Sequence, residues 1–433
     1  MRIRRKFLDD GFSLLVLFLA TGAFQSSIVD LSNPRLGTEG STFLQMVWLA
    51  VDVVVVFRLL PRYRQVFTLA RANKCLLLLV LLAISSVMWS NDPGLTIRRG
   101  IALLATTLVG IDFAVRYSVR DQLRLLYIVL GSIVLLGIVA QVFFPTLIPS
   151  PALDTGDAGT WHGVSGHKNE FGRSVVLVTV ALLSRSRRSL RDFMLIALVT
   201  VGAFGLIVLA HSMGALVILI ALLFLFRIFA ALRWKPKILA TACLASALIL
   251  LPISYLAFQN FDKVTAILGR DATLTGRVDI WKLAFTSIAN NPIHGYGYSA
   301  FWDADSQAAT RIREELNWGV PHAHNGYVDM TLELGLVGLF LFFAGYVIAA
   351  RRAINYFRQG VEREAIWPLI FLSFFFLYQL SEGSIVTGNT IYWILYVAVC
   401  FSITKVTVDQ PALESDSEFA APVQMFPLGQ EQS

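Results

Sequence analysis

Residues Gly214-Ala-Leu-Val-Ile-Leu-Ile-Ala-Leu-Leu-Phe-Leu-Phe226 form an uninterrupted apolar run, and the apolar character continues past Arg227 to residue 232. A stretch of about 20 mainly apolar residues is long enough to cross the hydrocarbon layer of a bilayer as an α-helix. The rest of the 433-residue chain has a similar character, because 56% of its residues are hydrophobic and only 15% are charged. The sequence therefore predicts an integral membrane protein.

Similar apolar runs recur along the chain and predict an all-α membrane protein with about 12 transmembrane helices. The runs lie near residues 11–30, 42–60, 75–90, 97–115, 124–144, 168–184, 191–210, 214–232, 238–257, 326–350, 366–382 and 389–405. We expect a membrane domain over residues 1–405, with one large polar loop at 258–325 between the ninth and tenth helices. Residues 406–433 are rich in Pro, Glu, Asp, Gln and Ser, a composition typical of a disordered tail.

The distribution of basic residues predicts the orientation of these helices. Most of the 36 Lys and Arg residues fall in alternate loops, and basic loops are retained in the cytoplasm. Both termini and the tail are therefore predicted to be cytoplasmic, and the 258–325 loop is predicted to lie on the opposite side. The basic N-terminus before residue 11 also resembles a signal peptide, but the many later spans favour an uncleaved first helix. Because the basic residues are scattered, the net charge of +7 does not indicate a nucleic-acid partner.

Three polar clusters lie on the predicted outward side. The first, Trp161-His-Gly-Val-Ser-Gly-His-Lys-Asn-Glu-Phe-Gly-Arg173, runs from a loop into a predicted span. It carries ionisable groups toward the bilayer, where they cost several kcal/mol unless they are paired or hydrated. An internal pair between Glu170 and Arg173, three residues apart on a helix, would account for part of the cluster. We favour a binding site.

The second cluster, Gly276-Arg-Val-Asp-Ile-Trp-Lys-Leu-Ala-Phe-Thr-Ser-Ile288, predicts an amphipathic helix at the outer interface, with Val278, Trp281, Phe285 and Ile288 on its apolar face. Arg277 lies at the start of this helix, where free backbone N–H groups and the guanidinium both favour an anion. A surface arginine without a role would have the same pattern. A basic pair, Arg98 and Arg99, also lies on the outward side, against the usual charge bias.

The third cluster is Pro321-His-Ala-His-Asn-Gly-Tyr-Val-Asp-Met-Thr-Leu-Glu333. Asn325 is placed to cap the helix that follows, and residues 325, 329 and 333 form one polar stripe at helical spacing. His322 and His324 are compatible with half of a zinc site, but no carboxylate or Cys stands at ligand spacing beside them. A neutral histidine next to a carboxylate is instead suited to accept a proton from a hydroxyl group near pH 7.

Three segments together resemble the bacterial O-antigen ligase and Wzy-type polysaccharide polymerase superfamily, in particular its ExoQ-like exopolysaccharide polymerisation branch. They are Gly163-Val-Ser-Gly-His-Lys-Asn-Glu-Phe-Gly172, Gly276-Arg-Val-Asp-Ile-Trp281 continuing to Asn291-Pro-Ile-His-Gly-Tyr-Gly297, and His324-Asn-Gly-Tyr-Val-Asp-Met-Thr-Leu-Glu-Leu-Gly335. The stretch around Arg98 and Arg99 is also similar to that branch, whereas His211-Ser-Met-Gly214 departs from the family pattern, and we assign it no role.

The resemblance implies glycan transfer at the periplasmic face of the bacterial inner membrane. The donor would be an oligosaccharide on undecaprenyl diphosphate and the acceptor a hydroxyl of another glycan, with no metal, cofactor or nucleotide sugar. His324 is the expected general base and Arg277 the main cation for the diphosphate leaving group. The expected substrate-binding residues share the outward side with them and are Arg98, Arg99, His167, Lys168, Asn169, Arg173 and Asn325.

Two alternatives to a polymerase remain open from the sequence. An O-antigen ligase has the same donor but transfers the glycan to lipid A-core. A transporter or flippase would also have about 12 spans, although its polar residues usually lie near the midplane of repeated halves. Beyond the bilayer and the two glycans, the partners expected for a polymerase are a chain-length regulator and a flippase.

Overall fold

The computed structural model describes residues 2–23, 42–144, 160–186, 189–231, 276–360, 362–383 and 385–418. Within these ranges the chain is helical and contains no strand, which confirms the all-α class. The α-helices, numbered in chain order, are α1 (Arg2–Ala20), α2 (Thr42–Leu59), α3 (Tyr63–Ala72), α4 (Lys74–Ser85), α5 (Pro93–Arg116), α6 (Val119–Phe143), α7 (Lys168–Leu183), α8 (Leu190–Leu209), α9 (Met213–Ala231), α10 (Arg277–Asn290), α11 (Gln307–Leu316), α12 (Gly326–Gln359), α13 (Trp367–Tyr378) and α14 (Ile391–Glu418).

Six helices are long and apolar enough to cross a membrane by length and composition. They are Thr42–Ala72, which joins α2 and α3, together with α5, α6, α8, α9 and α12. Two shorter apolar helices cover Lys74–Met88 and Ile391–Lys405. The predicted span at 238–257 and the loop residues up to 275 lie outside the described residues, so the number of about 12 spans stays a prediction.

Two predicted spans are enclosed by other helices, and the second of them is shorter than predicted. Every residue of α7 from Phe171 to Leu183 is buried. Most of α13 is also buried, and it is only 12 residues long. A helix that is apolar on all sides is enclosed by other helices. The last helix, α14, continues to Glu418, beyond the boundary at residue 405 that the apolar pattern predicted.

The two ends of the bundle differ in charge and contacts. At one end, which we call the basic end, Arg58 and Arg116 both contact Asp9 and Asp112. The shortest of these contacts joins Arg116 Nε and Asp112 Oδ1 at 2.7 Å. The network connects α1, α2 and α5. The opposite end, which we call the site end, holds the start of α5, α7, α10 and α12.

At the site end, residues 276–325 form a small helical segment with its own apolar core. Helices α10 and α11 pack there against the beginning of α12. The predicted amphipathic helix exists as α10. Trp281 and Ile288 of its predicted apolar face pack partly buried against this core, but Phe285 is 56% exposed, and the buried residues are Ile280, Ala284 and Ser287. The face is set by packing against α11 and α12 rather than by hydrophobicity alone.

Helix α12 is interrupted at Gly335, which has φ 65° and ψ −168°. The break frees backbone groups, and the loop after α10 pairs with them. Tyr296 and Gly297 donate their backbone N–H groups to the carbonyls of Leu332 and Glu333, at 2.8 and 3.0 Å. On the other side of the break, the Leu336 N–H donates to the Pro292 carbonyl at 2.8 Å. Non-helical backbone near a membrane span requires such replacement partners.

Candidate active site

The centre of the site end is a pair of histidines beside a carboxylate. His324 Nδ1 lies 4.0 Å from Glu382 Oε2, and the two side chains are mostly buried. The ring centroids of His322 and His324 are 4.0 Å apart. Glu382 comes from the turn after α13, whereas both histidines precede α12. The carboxylate expected beside the histidines therefore exists, but it is distant in sequence.

Local backbone geometry sets the orientation of the two rings. His324 has a positive φ of 51°, a left-handed conformation that is uncommon for a residue other than glycine. In this conformation its backbone N–H donates to His322 Nδ1 at 3.0 Å. Since that nitrogen accepts a hydrogen bond, neutral His322 carries its proton on Nε2. Within the described part of the chain, no hydrogen-bond partner is in reach of His324 Nδ1.

Glu382 is held by the first polar cluster. Asn169 Nδ2 donates to Glu382 Oε1 at 2.8 Å, and Ser212 Oγ donates to Asn169 Oδ1 at 3.1 Å. Asn169 is near the start of α7, where His167 is the capping residue and accepts its backbone N–H. The chain Ser212, Asn169, Glu382 thus connects α7 and α9 to the histidine pair.

Asp329 fixes the loop that carries the histidines. Its Oδ1 accepts from Trp302 Nε1 at 2.7 Å and from the Ala323 N–H at 2.9 Å. The Ala323 carbonyl in turn accepts from Trp281 Nε1 of α10 at 2.9 Å. Hydrogen bonds therefore connect this loop to α12 and α10, and Asp329 also connects it to the aromatic segment around residue 302. Asn325 acts as predicted, because its Oδ1 caps α12 by accepting from the N–H groups of Tyr327 and Val328.

Cationic side chains surround this centre. Arg277, the first residue of α10, is close enough to influence the charge of both histidines, as is His167. Arg173 is buried in α7, with its guanidinium carbon 4.6 Å from the ring centroid of Tyr392 and 5.4 Å from that of Tyr378. Arg173 therefore stacks on aromatic rings, in addition to its interaction with nearby carboxylates. Lys168 is the half-buried first residue of α7.

These surroundings keep the histidines neutral. Burial lowers the pKa of His324 from 6.5 to about 3, with smaller electrostatic contributions in the same direction from its neighbours His322, Arg277 and His167. Burial also lowers the pKa of His322, and Glu382 offsets part of that effect. At 4.0 Å the Glu382 carboxylate is too distant for a hydrogen bond with His324 Nδ1, and it does not reverse the lowering. His324 is thus a free base throughout the physiological pH range.

The structure does not bring Arg98 and Arg99 to this centre. Both lie in the second turn of α5 and line a separate cavity of about 1180 Å³. That cavity also includes His322 and Asp329 in its wall, whereas His324 and Arg277 are not part of it. The two arginines are therefore near the histidine loop but on a different surface from Arg277.

One donor atom each from His322, His324 and Glu382 lies within 4.8 Å of the others, so these residues are a possible metal-binding group among those described. A neutral imidazole has one lone pair to offer, and that of His322 already accepts the His324 N–H. A metal ion could bind the His322 ring only by displacing this hydrogen bond from Nδ1 or by removing the proton from Nε2. The arrangement fits a hydrogen-bonded base better than a metal centre, and the absence of a cofactor stays a prediction.

Sequence reasoning missed three residues of this site. Ser212 lies in the segment to which no role was assigned, yet it is buried and donates to Asn169. Glu382 was taken as the end of a predicted span. A carboxylate at the outward end of an apolar run was the available signal, because such a group is costly unless it has a function. Trp318, whose ring is stacked over His324 at 6.2 Å, was also not singled out.

The fold and site define a polytopic membrane protein with a buried histidine and carboxylate centre at one end. The family model Wzy_C, described as O-antigen ligase, matches residues 194–343, which include Arg277 and His324. A stretch of this chain is 35% identical over 83 residues to the exopolysaccharide production protein ExoQ of Rhizobium meliloti (strain 1021). The stretch covers 18% of this chain and 19% of that protein, so only about a fifth of the relative is matched.

These two matches confirm the resemblance that the three sequence segments indicated. Parts of the chain are therefore similar to the O-antigen ligase and Wzy-type superfamily, and within it to the ExoQ-like branch. Asn169 and Glu382, which complete the site, lie outside the residues that the family model matches.

Proposed function

We propose that the protein is a membrane glycosyltransferase that polymerises undecaprenyl-diphosphate-linked oligosaccharide repeat units into exopolysaccharide at the periplasmic face. The observation that carries the proposal is the neutral, mostly buried His324, which has the Glu382 carboxylate on one side and the Arg277 charge nearby. A base beside a fixed cation fits a reaction that removes a proton and releases an anion.

In the proposed reaction, His324 accepts the proton of an acceptor hydroxyl. The hydroxyl oxygen forms a bond to the anomeric carbon of the donor sugar as the bond from that carbon to the diphosphate oxygen breaks. The electron pair of that bond leaves with undecaprenyl diphosphate. A single displacement of this kind inverts the anomeric configuration. Glu382, 4.0 Å from His324 Nδ1, stabilises the imidazolium that forms.

The leaving diphosphate needs positive charge that is already in place. Arg277 is the best candidate, because a guanidinium pairs with two phosphate oxygens and its charge reaches the histidine pair. His167 and Lys168 lie at the start of α7, and His167 is close enough to influence the charge of both histidines. Fixed arginine and lysine charges supply the role that a divalent cation has in many phosphate-releasing enzymes, so we expect no metal requirement.

Replacement of His324 tests the proposal. Purified His324→Ala protein in detergent should form no high-molecular-weight glycan from a lipid-linked oligosaccharide, whereas wild-type protein should extend it without any ion gradient. The matched control is His294→Ala, since His294 is an exposed histidine of the same segment. Wild-type polymer yield from His324→Ala would overturn the assignment. If the wild type neither extends the oligosaccharide nor transfers it to lipid A-core, a transporter is favoured.

The ligase alternative is supported by the description of the matched family and differs only in the acceptor. If the same purified protein transfers the glycan to lipid A-core and does not extend lipid-linked repeats, the protein is a ligase. In a deletion strain, loss of long chains alone would indicate a polymerase. Loss of all glycan on lipid A would indicate a ligase.

A further inference from the structure

The cavity beside α5 has a polar end and an apolar end. Its volume is about 1180 Å³, and it reaches from the loop at His322 and Asp329 to the outward half of α2. Its walls include Arg98 and Arg99 of α5 and Asp52 of α2. Since its lining on α2 runs from Leu44 to Asp52, eight residues further along, the cavity extends about 12 Å along that helix at 1.5 Å per residue.

Arg98 is the accessible cation of this cavity. Its side chain is exposed, and its Nε donates to the Gly94 carbonyl one turn earlier in α5, at 3.2 Å. Arg99 is half-buried, and its charge is close to Glu333. Both arginines lie about 8 Å along α5 from its start at Pro93, a depth at which lipid headgroups meet the apolar layer.

Five acidic residues line the cavity. Glu333 is close to Arg99, one buried oxygen of Asp52 has no hydrogen-bond partner among the described residues, and the other three carboxylates serve the fold. The Asp92 side chain caps α5 by accepting the Leu95 N–H at 2.8 Å. Asp303 accepts the Asp305 N–H, and Asp329 accepts from Trp302 and Ala323. Each of these hydrogen bonds occupies a carboxylate oxygen, so the exposed Arg98 is best placed to meet an anion that enters.

Part of the cavity wall belongs to the lipid-facing surface. Leu49 of α2 and Ile101 of α5 line the cavity and are 64% and 58% exposed. Both lie in helices that are apolar enough to span a membrane. Residues of both α2 and α5 line the cavity and the two helices are in contact, so the space along them suits a single lipid chain better than a bundle of acyl chains.

We propose that this cavity binds a second polyprenyl-diphosphate-linked oligosaccharide, the acceptor of the polymerisation. Its diphosphate would pair with Arg98 and Arg99, its prenyl chain would leave between α2 and α5, and its glycan would extend past His322 toward His324. The acceptor diphosphate is bound and does not react, while Arg277 serves the donor diphosphate that leaves. The inference rests on the proposed function and would separate a polymerase from a ligase.

Native mass spectrometry of the full chain in detergent, with undecaprenyl diphosphate as the probe, tests the second site. We expect two bound molecules per wild-type chain, one per Arg98→Ala/Arg99→Ala chain and one per Arg277→Ala chain. The remaining molecule shows that each variant is folded. The control Arg311→Ala should keep two, since Arg311 is an exposed arginine of α11 outside the cavity. Undecaprenol, which lacks the diphosphate, should not fill either site.

Other outcomes would overturn the inference. If the wild type binds only one molecule and the Arg98→Ala/Arg99→Ala variant still binds it, the second site does not exist. If that variant binds two molecules, the two arginines do not form the second site. Displacement of one molecule by lipid A-core, in a manner that depends on Arg98 and Arg99, would assign the cavity to a ligase acceptor. The proposed function fails separately, when His324→Ala still forms polymer, whatever the number of bound lipids.

Discussion

The imidazole of His324 is held in a state that is neutral but only weakly basic. Burial and neighbouring positive charge lower its pKa to about 3, whereas general bases work best with a pKa near the working pH. Under the proposed function, the diphosphate of a bound donor offsets the charge of Arg277 and raises the pKa of His324. The base would then strengthen only when the leaving group is in place.

Glu382 is expected to act through His324. In Glu382→Gln the side chain keeps an oxygen for Asn169 but loses the charge that stabilises the imidazolium, so kcat should fall by up to about 100-fold, the lower range of a general-base contribution. Initial rates of polymer formation with purified protein measure this. Glu315→Gln, at an exposed glutamate of α11, is the matched control. An unchanged kcat in Glu382→Gln would exclude the proposed role.

The pH dependence should report the charge next to His324. Because its pKa is lowered, kcat/KM of the wild type should not decrease on its account between pH 8 and pH 5. Arg277→Gln removes a positive charge, so the pKa must rise and the acid limb must move to higher pH. Arg277→Lys keeps the positive charge, so the acid limb of its kcat/KM profile should stay at low pH. Equal profiles for the two variants at their residual activities would contradict this electrostatic coupling.

At residue scale, sequence could predict the participants that local motifs contain. Asn325 was predicted as a cap from its position before an apolar run, and it is one. Glu382 could not be assigned to His324, because the two are 58 positions apart in the chain and nothing local links them. Only the packing of α7, α12 and α13 brings Asn169, Glu382 and the histidines together.

At the scale of helices and loops, two of the segments that carry the family resemblance are joined to each other by hydrogen bonds. The loop Asn291–Gly297 fills the break in α12 that follows Glu333, by backbone hydrogen bonds in both directions. This joins the turn after α10 to the helix that carries the histidine loop, and it holds Arg277 and His324 in one rigid unit. Sequence analysis did not predict this pairing, since hydrogen bonds of a helix break leave no periodic signal.

Gly335 should tolerate no side chain. A Cβ at this residue would lie 2.0 Å from the Ile293 carbonyl oxygen, and its φ and ψ are accessible almost only to glycine. Gly335→Ala should lower the free energy of unfolding by at least about 1–3 kcal/mol and reduce polymer formation. Thermal unfolding in detergent measures the first effect. Gly131→Ala is the control, because nothing lies within 4 Å of its Cβ position in α6. Equal melting temperatures would contradict the proposed fit.

The basic end should depend on Asp112. Its carboxylate is 5% exposed and bridges Arg58 at 2.9 Å and Arg116 at 2.7 Å, so Asp112→Asn leaves two buried guanidinium groups with less counter-charge. Breaking a buried pair in this way costs about 3–5 kcal/mol. Asp279→Asn breaks an exposed pair with Lys282 and should cost less than about 1 kcal/mol. Similar losses in chemical or thermal unfolding of the two variants would show that the network is not structural.

For the whole molecule, the bilayer requires apolar helices, which can be predicted from the sequence, but it does not determine how those helices pack together. Starts and ends of α5, α6, α8 and α9 fall within about five residues of the predicted spans, because an apolar layer requires contiguous apolar helices. The central position of α7 was not predicted. Its apolar residues resemble those of a lipid-facing helix, and only contacts with α6, α8, α9 and α13 distinguish the two environments.

The orientation of the whole protein follows from the separation of its two ends. The basic end carries the clusters that favour the cytoplasm, so we propose that the site end is periplasmic, where the lipid-linked glycan of the proposed function would meet its acceptor. We expect a single cysteine in Glu315→Cys, on α11, to react with a membrane-impermeant maleimide in intact spheroplasts. Glu362→Cys, next to Arg120 at the basic end, should react only after lysis. Cys75, Cys243 and Cys400 are first replaced by serine. The reverse labelling would invert the orientation and remove the periplasmic site, whereas the bundle and its histidine centre would be unaffected.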